Sequence, residues 1–259
     1  MATDAIVQVV GVRKSFGDKE ILKGVDLDVP RGRITTIIGG SGSGKSVLVK
    51  HIIGLLKPDE GEVRFEGRDL CRLGVRALSV VRRNFGMLFQ HSALFDSMTV
   101  EENIAFPLVE HTRLSGRKIR DIVREKLELL GMAGIERQYP SELSGGMRKR
   151  VGLARAIVLN PKVIIYDEPT TGLDPIMTQN VDQMIKEAEQ KFKVTSIVIS
   201  HDMASTFRIS DHIAVIHQGT IVERGSGNEI LRSDNDYVRR FLAAASSPHR
   251  EAMASRGDS

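Results

Sequence analysis

The apolar positions of this chain form short runs and alternating stretches that predict a series of strands. ILKGVDLDV alternates in character, whereas KVIIYDE is a continuous apolar run of the kind found in a strand buried on both faces. HIAVIHQGTIVERG predicts a hairpin that turns at Gln218 and Gly219. The remaining predicted strands are IVQVVGV, RITTIIGG, GEVRFEG and VTSIVISH.

Between these strands the apolar positions recur with helical spacing. The predicted helices are SVLVKHIIGLL, GRKIRDIVREKLELLGM, SELSGGMRKRVGLARAI and MTQNVDQMIKEAEQKF. Residues 98–158 are charged and helical in character, and we interpret them as a helical insertion. Because strands that alternate with helices imply a parallel sheet with right-handed crossovers, the predicted fold class is α/β.

Composition narrows the range of functions. The chain has 259 residues, of which 41% are hydrophobic, enough for one large α/β domain or a domain with an inserted subdomain. Its net charge of +4 is spread along the chain, so no nucleic-acid partner is expected. Cys71 is the single cysteine, which excludes an intrachain disulfide and a cysteine zinc cluster. No signal peptide and no apolar run of about 18 residues is found, so we expect any membrane span to come from another chain.

A glycine-rich loop carries the strongest chemical signal. Residues 39–46, GGSGSGKS, match the pattern G-x-x-x-x-G-K-[ST], in which Lys45 reaches the β- and γ-phosphates and Ser46 ligates Mg²⁺. The alternative, a flexible glycine turn, is disfavoured because a strand precedes the loop and a helix follows it. The sequence therefore predicts a nucleoside triphosphate site. Its predicted binding residues are Gly39, Gly40, Ser41, Gly42, Ser43, Gly44, Lys45, Ser46 and Val47.

Two adjacent carboxylates at the end of the run VIIYDE predict the second half of this site. The buried strand delivers Asp167 to its carboxyl end, where open α/β sheets bind their ligands. Asp167 can hold Mg²⁺, and Glu168 can act as the general base that polarises the attacking water.

The stretch LSGGMRKR, residues 143–150, allows two interpretations. Ser144 and the two glycines can cap a surface helix, and the N–H groups at the same helix start can bind an anion. The residues alone leave both open. We interpret Arg148, Lys149 and Arg150 as a solvated helix face rather than as contacts to nucleotide or to another protein.

Six motifs occur in one order: GGSGSGKS, LFQ, LSGGM, VIIYDEP, TGLDP and VISHD. By these motifs and their order, the chain resembles the ATPase subunits of ATP-binding cassette (ABC) transporters over about residues 5–232. The resemblance implies a P-loop NTPase (RecA-like) core with an N-terminal antiparallel β subdomain and an inserted α-helical subdomain. We expect one domain over residues 5–240, with the insertion at about 98–158, and a flexible tail over 241–259.

The resemblance also implies roles for single residues. Phe16 matches the aromatic that stacks on adenine, Gln90 the glutamine that senses Mg²⁺ and water, and His201 the switch histidine at the γ-phosphate. Leu173 and Asp174 match a loop that contacts the opposite subunit. Two copies would pack head to tail around two ATP molecules, with the signature residues of one closing on the γ-phosphate held by the other. Met147 stands where most members have Gln. The signature residues are Ser144, Gly145 and Gly146.

Within the family, the chain resembles the ATPases of bacterial phospholipid-trafficking transporters of the Mla/MCE type. The resemblance rests on GMLFQHSALFDSMTVEENIAFPL, LSGGMRKR, GGSGSGKSVLVKHIIGLLKPDEGEV and YVRRFL. It implies a peripheral protein on the cytoplasmic face of the inner membrane. The implied partners are a permease, an MCE-type lipid-binding protein and a small accessory protein.

For two segments, and for the cargo, the sequence leaves alternative interpretations open. Leu94, Phe95 and Met98 form either a socket for the permease or internal packing of the helical region. The predicted helix DYVRRFLAAA either docks on a neighbour or packs on its own domain. An ABC ATPase for a polar solute, and a soluble single-cassette ATPase of the iron–sulfur assembly type, remain alternative functions.

Overall fold

The computed structural model describes residues 4–90 and 92–246. They form two compact units, one comprising the described residues up to Leu73 and from Ile199 onward, the other Gly74–Val198. Of the predicted tail, residues 247–259 lie outside the described residues. No helix among the described residues is both long and apolar enough to cross a bilayer.

Strands and helices are numbered along the chain. The strands are β1 (Ala5–Phe16), β2 (Lys19–Pro30), β3 (Ile34–Ile38), β4 (Glu60–Phe65), β5 (Arg68–Asp69), β6 (Phe85–Leu88), β7 (Val163–Asp167), β8 (Thr195–Ser200), β9 (His212–His217) and β10 (Thr220–Gly225). The α-helices are α1 (Lys45–Ile52), α2 (Val75–Arg82), α3 (Val100–His111), α4 (Gly116–Leu129), α5 (Gly145–Ile157), α6 (Pro175–Phe192), α7 (Met203–Ile209), α8 (Gly227–Leu231) and α9 (Asp236–Ser246).

The first sheet is antiparallel, with the strand order β2-β1-β4-β5. Strand β1 pairs with both β2 and β4, and its register shifts between Val9 and Val12, on either side of Gly11 with its φ of 56°. Because side chains alternate between the two faces of a strand, one face of β1 and β2 is buried. The predicted N-terminal strands are thus confirmed.

The second sheet is mixed, with the strand order β10-β9-β3-β8-β7-β6. Strand β3 runs parallel to β9, and β6 runs parallel to β7. Strands β9 and β10 form the predicted hairpin, in which Gln218 and Gly219 have φ values of 46° and 86°. Positive φ at both turn residues is what a two-residue hairpin needs, so this prediction is confirmed. The two sheets and their helices confirm the α/β fold class.

The second unit contains the three helices of the predicted insertion, α3, α4 and α5. Helix α3 begins at a capping box in which the Thr99 hydroxyl accepts from the Glu102 N–H and the Glu102 carboxylate accepts from the Thr99 N–H. The helices share an apolar core that buries Ile104, Val123 and Val151 completely. Helix α2 was not among the predicted helices; it has only eight residues, and none of them is fully buried.

Two helix ends differ from the sequence prediction. Helix α1 ends at Ile52, before the predicted Leu56, because Gly54 adopts a φ of 67° and the following N–H groups turn back to the Lys50 carbonyl. Helix α9 extends to Ser246 and crosses the expected boundary between residues 240 and 241. It packs on its own unit through Tyr237, Phe241 and Leu242, as one of the two alternatives predicted.

Candidate active site

The phosphate loop follows β3, whose five residues are all buried. A Cβ atom at Gly39 would lie 2.2 Å from the Ile216 carbonyl oxygen, so only glycine fits the path of the chain. Gly44, with a φ of 108°, is the N-cap of α1, and a Cβ there would lie 2.9 Å from a Leu22 methyl group. The loop geometry therefore depends on glycine at both positions.

Lys45 opens α1 and is only 9% exposed. Its ammonium donates to the carbonyls of Gly39 at 2.7 Å and Gly40 at 3.0 Å, which holds it inside the curve of the loop. Ser46 follows on the exposed side of the first turn. Lys45 and Ser46 are thus adjacent to the loop that they are predicted to serve.

The start of α1 fits an anion. Its N-cap makes no side-chain hydrogen bond, and its first turn has no acidic residue. The buried Ser43 hydroxyl has no hydrogen-bond partner among the described residues. The N–H groups of the first turn and the positive helix dipole at this point suit the phosphates of a nucleotide.

Helix α9 contacts the phosphate loop, which sequence reasoning did not predict. The Tyr237 ring stacks on His217 with centroids 3.6 Å apart. The Tyr237 hydroxyl lies 3.6 Å from the position that a Cβ at Gly40 would take. Val238 of the same helix and Ile38 of β3 are fully buried in one apolar cluster. The loop therefore rests against the C-terminal helix.

Two further predicted residues belong to the first unit. Phe16 ends β1 and is 49% exposed, with the Lys14 ammonium 5.7 Å from its ring centroid. Its ring is open to a stacking partner. His201 follows β8 directly and is exposed, and the next residue, Asp202, caps α7 by accepting from the Ser205 N–H.

In the second unit, β7 places the two carboxylates at its end. Its residues up to Tyr166 are fully buried, and burial raises the pKa of the Tyr166 phenol far above its usual range. Asp167 is the last strand residue, and Glu168 follows with a φ of 52°, which is uncommon for a residue with a side chain. The Thr171 hydroxyl donates to a Glu168 carboxylate oxygen at 2.7 Å. The local chain thus fixes the Glu168 side chain, and the sequence did not predict this role for Thr171.

The signature turn begins α5. The Ser144 hydroxyl accepts from the Met147 N–H at 3.3 Å, so Ser144 is the N-cap that one interpretation predicted. Gly145 and Gly146 follow, and a Cβ at Gly146 would lie 3.4 Å from the terminal methyl of Met177. The helix start carries no acidic residue in its first turn and so remains suited to an anion.

Asp174, predicted to contact another subunit, is the N-cap of α6. Its carboxylate accepts from the N–H groups of Ile176 and Met177, both at 2.9 Å. Asp174 is nevertheless exposed, and Ile176 beside it is 74% exposed. Leu173 donates its N–H to the Thr170 carbonyl, which closes the turn before α6.

Gln90 follows β6 and is partly exposed. The chain just beyond it is fixed by Arg155 of α5, whose guanidinium donates to the carbonyls of Ser92 at 2.7 Å and Ala93 at 2.8 Å. Asn103 of α3 is fully buried and closes the next turn by bonding both the N–H and the carbonyl of Phe95.

Of the predicted socket residues, Leu94 packs against the helical core, whereas Phe95 is 42% exposed. Phe95 pairs with Phe106, their ring centroids 5.2 Å apart. Both line a cavity of about 610 Å³ within the second unit, together with Phe89 and the basic Arg83. Internal packing thus describes Leu94, and the permease socket stays a prediction for the exposed Phe95.

The predicted site residues fall on both units. The first unit carries Phe16, Gly39, Gly40, Ser41, Gly42, Ser43, Gly44, Lys45, Ser46, Val47 and His201, and the second carries Gln90, Ser144, Gly145, Gly146, Asp167, Glu168 and Asp174. Among residues 4–90 and 92–246 there is no group of three or more His, Cys, Asp or Glu side chains placed to hold a metal. Mg²⁺ is often bound through one or two carboxylates and substrate phosphates, and Asp167 is a carboxylate of this kind.

A family model described as ABC transporter matches residues 22–171. The chain is 42% identical over 241 residues to the intermembrane phospholipid transport system ATP-binding protein MlaF of Haemophilus influenzae, covering 93% of this chain and 91% of that protein. It is also 42% identical over 242 residues to the probable ribonucleotide transport ATP-binding protein mkl of Mycobacterium leprae, of which it spans 70%. It spans 66% of the mkl protein of Mycobacterium tuberculosis.

Solved structures give the same picture. The dimeric post-hydrolysis state of the ATP-binding cassette MJ0796 bound to ADP and Pi is 31% identical, with a TM-score of 0.74 over 85% of this chain and 98% of that one. The structure of cbiO1 from Clostridium perfringens, part of the ABC transporter complex cbiONQ, is 27% identical, with a TM-score of 0.82 over 97% of this chain and 99% of that one.

Proposed function

The chain belongs to the ABC transporter family and is an ATPase, and we propose that it powers a bacterial transporter that moves phospholipid between membranes through a separate permease. One observation carries the choice of cargo. The similarity to MlaF of Haemophilus influenzae extends over 91% of that protein at 42% identity, so that nearly the whole relative is matched.

The proposed chemistry is the hydrolysis of ATP, with a role for each predicted residue. The phosphates bind the N–H groups of residues 39–46 and the Lys45 ammonium. Glu168 accepts a proton from a water molecule, and the oxygen of that water forms a bond to the γ-phosphorus. At the same time the bond between the γ-phosphorus and the oxygen of ADP breaks. His201 contacts the γ-phosphate, and the exposed Phe16 ring stacks on adenine.

Mg²⁺ is the proposed second component. Ser46, Gln90 and Asp167 are the residues that would hold it, and when bound it neutralises charge on the phosphates. The Ser46 hydroxyl is exposed beside Lys45, and Asp167 ends a buried strand, which suits both oxygens for such a ligand.

We further propose a head-to-tail homodimer that closes over two ATP molecules. Ser144, Gly145 and Gly146 would then contact the γ-phosphate bound by the other copy. The absence of acidic residues from the first turn of α5 supports this role, since an acid there would repel phosphate. The MJ0796 structure, a dimeric cassette bound to ADP and Pi, supports the dimer.

The proposed permease contact is the 610 Å³ cavity of the second unit. Its exposed Phe95 and Phe106 rings can receive an apolar helix, and Arg83 is among the residues that line it. With this contact we propose a peripheral position on the cytoplasmic face of the inner membrane. An MCE-type lipid-binding protein and a small accessory protein complete the proposed assembly.

Two alternative functions compete with phospholipid transport. The mkl relatives are named for ribonucleotide transport, and that name favours a polar solute. The iron–sulfur assembly alternative has no support from the named relatives, all of which are described as transport proteins.

The test is to recover the tagged Glu168→Gln protein from gently solubilised native membranes with ATP and Mg²⁺, and to identify proteins and lipids by mass spectrometry. A multispanning permease, an MCE-type protein and bound phospholipid support the proposal. A permease with a solute-binding protein and no enriched lipid overturns the cargo, and soluble scaffold proteins alone overturn the transport role. The matched control is the same purification with Lys45→Ala, which should not trap the ATP-bound dimer.

A further inference from the structure

Lys149 departs from the predicted solvated face of α5. Arg148 and Arg150 on either side of it are exposed, but Lys149 is only 7% exposed. Its ammonium donates to the carbonyl of Pro169, and burial lowers its pKa. A buried charge is costly unless it is hydrogen-bonded, so the buried Lys149 ammonium depends on the Pro169 carbonyl as its acceptor.

The bonded carbonyl belongs to the loop that carries Glu168. Pro169 follows Glu168 directly, and the peptide group held by Lys149 lies between Glu168 and Thr171. These two residues are joined by the 2.7 Å bond from the Thr171 hydroxyl to the Glu168 carboxylate. Glu168 itself adopts a φ of 52°, a conformation that the surrounding structure must hold. Lys149 therefore anchors the short turn that aims the carboxylate.

The same helix also begins with the signature turn. Lys149 lies little more than one turn after Ser144, so that a displacement of the signature turn moves its backbone as well. The turn has a second contact with this region, since Gly146 faces Met177 of α6. A cavity of about 320 Å³ lies behind the turn, and its lining includes Met132, Met147, Met177 and Met184.

We propose that Lys149 is a positioning residue that links the signature turn to the catalytic loop of the same chain, holding Glu168 in place when the signature turn has engaged nucleotide. This inference rests on the proposed roles of Glu168 and of the signature turn. Lys149 acts through Glu168 and does not touch the substrate. Its loss should slow the chemical step and leave ATP affinity unchanged.

The test compares steady-state ATP hydrolysis by the purified full-length chain and its variants. Lys149→Met keeps an apolar stem but removes the donor, and we expect kcat to fall about tenfold or more, because small displacements of a catalytic group are costly. The KM for ATP should stay within about twofold, the signature of an interaction that matters only in the transition state. Arg150→Met makes the same kind of change on the exposed side of the helix and should keep the full kcat.

Lys149→Gln keeps an N–H donor without the charge and should recover most of the kcat. The thermal melting temperatures of both variants are measured as well, so that poor folding of Lys149→Met can be told apart from a loss of positioning. An unchanged kcat in Lys149→Met overturns the inference. So does a loss in Lys149→Gln as large as in Lys149→Met, because then the bond to Pro169 is not what matters.

A double-mutant cycle separates positioning from a general structural effect. In the Glu168→Gln background there is no base left to position, so adding Lys149→Met should change the residual rate by less than about threefold. Equal losses in both backgrounds overturn the inference. If Glu168→Gln alone hydrolyses ATP at the normal rate, the proposed base has failed instead, and the two failures are distinguishable.

Discussion

Replacing Glu168 by Gln removes the proposed general base and leaves its surroundings in place. The Glu168 carboxylate accepts a hydrogen bond from the Thr171 hydroxyl at 2.7 Å, and the amide oxygen of glutamine can accept the same bond. The φ of 52° at this position has a similar conformational cost for glutamate and for glutamine. We therefore expect the variant to fold and to bind ATP as the unaltered chain does.

The expected loss is confined to the chemical step. General base catalysis contributes about 10²–10⁴ in rate, so kcat should fall at least about a hundredfold. A loss in that range corresponds to about 2.7–5.5 kcal/mol of activation free energy. The loss should appear in kcat and not in the dissociation constant for ATP, because the phosphate loop and Lys45 are untouched.

Phosphate release at saturating ATP and Mg²⁺ gives kcat, and titration with a fluorescent ATP analogue gives the dissociation constant. Glu128→Gln is the matched control, since Glu128 is an exposed acid on α4 and its loss should leave kcat unchanged. Turnover by Glu168→Gln within about tenfold of the unaltered chain, with ATP binding intact, would contradict the assignment of the base.

Three further changes have defined outcomes. Gly39→Ala places a Cβ 2.2 Å from the Ile216 carbonyl oxygen, so nucleotide titration should show ATP binding weakened by about tenfold or more, and unchanged binding would contradict the loop geometry. Asn103→Ala breaks four buried hydrogen bonds around Phe95, and urea titration should show the free energy of unfolding lowered by about 2–4 kcal/mol, whereas a loss below about 1 kcal/mol would argue against that network. Burial lowers the pKa of His51 below 6.5, so the unfolded chain binds the proton first, and the free energy of unfolding should fall as the pH drops from about 7 to 5. His51→Asn should flatten that slope, and an equal slope in both proteins would exclude His51 as its source.

The sequence predicted the long strands better than the helix ends, whereas it missed the short strands β5 and β6. Buried runs such as β3 and β7 stand out because a strand covered on both faces has no polar alternation to confuse it. Helix α2 gave a weaker signal, since its eight residues make little more than two turns and it exposes Val75 and Val80. Apolar periodicity is read over windows of about 11–18 residues, and a helix this short fills only part of one.

The candidate site divides in the same way. Lys45 and Ser46 were predictable because the phosphate loop fixes which backbone position each residue must take. Thr171 was not, because its bond to Glu168 arises from a turn whose shape depends on a positive φ at Glu168. The contact of Tyr237 with the phosphate loop was also missed, since it joins segments almost two hundred residues apart.

The burial of Lys149 was missed as well. The residues three and four positions beyond each of the three basic residues are buried, so apolar spacing along α5 does not distinguish Lys149 from Arg148 and Arg150. What distinguishes Lys149 is the tertiary contact of its ammonium with the Pro169 carbonyl, twenty residues further along the chain.

Helix α5 meets several functional segments along its length. Its first turn is the signature motif, and Lys149, a little over one turn later, holds the catalytic loop. Arg155, nearly two turns beyond Lys149, donates to the carbonyls of Ser92 and Ala93 in the chain that follows Gln90. One rigid helix thus contacts the proposed trans-acting phosphate grip, the proposed base and the segment leading to the proposed permease contact. A change at one of these segments that tilts α5 displaces its contacts with the others, because a packed helix moves as a unit rather than bending at each contact.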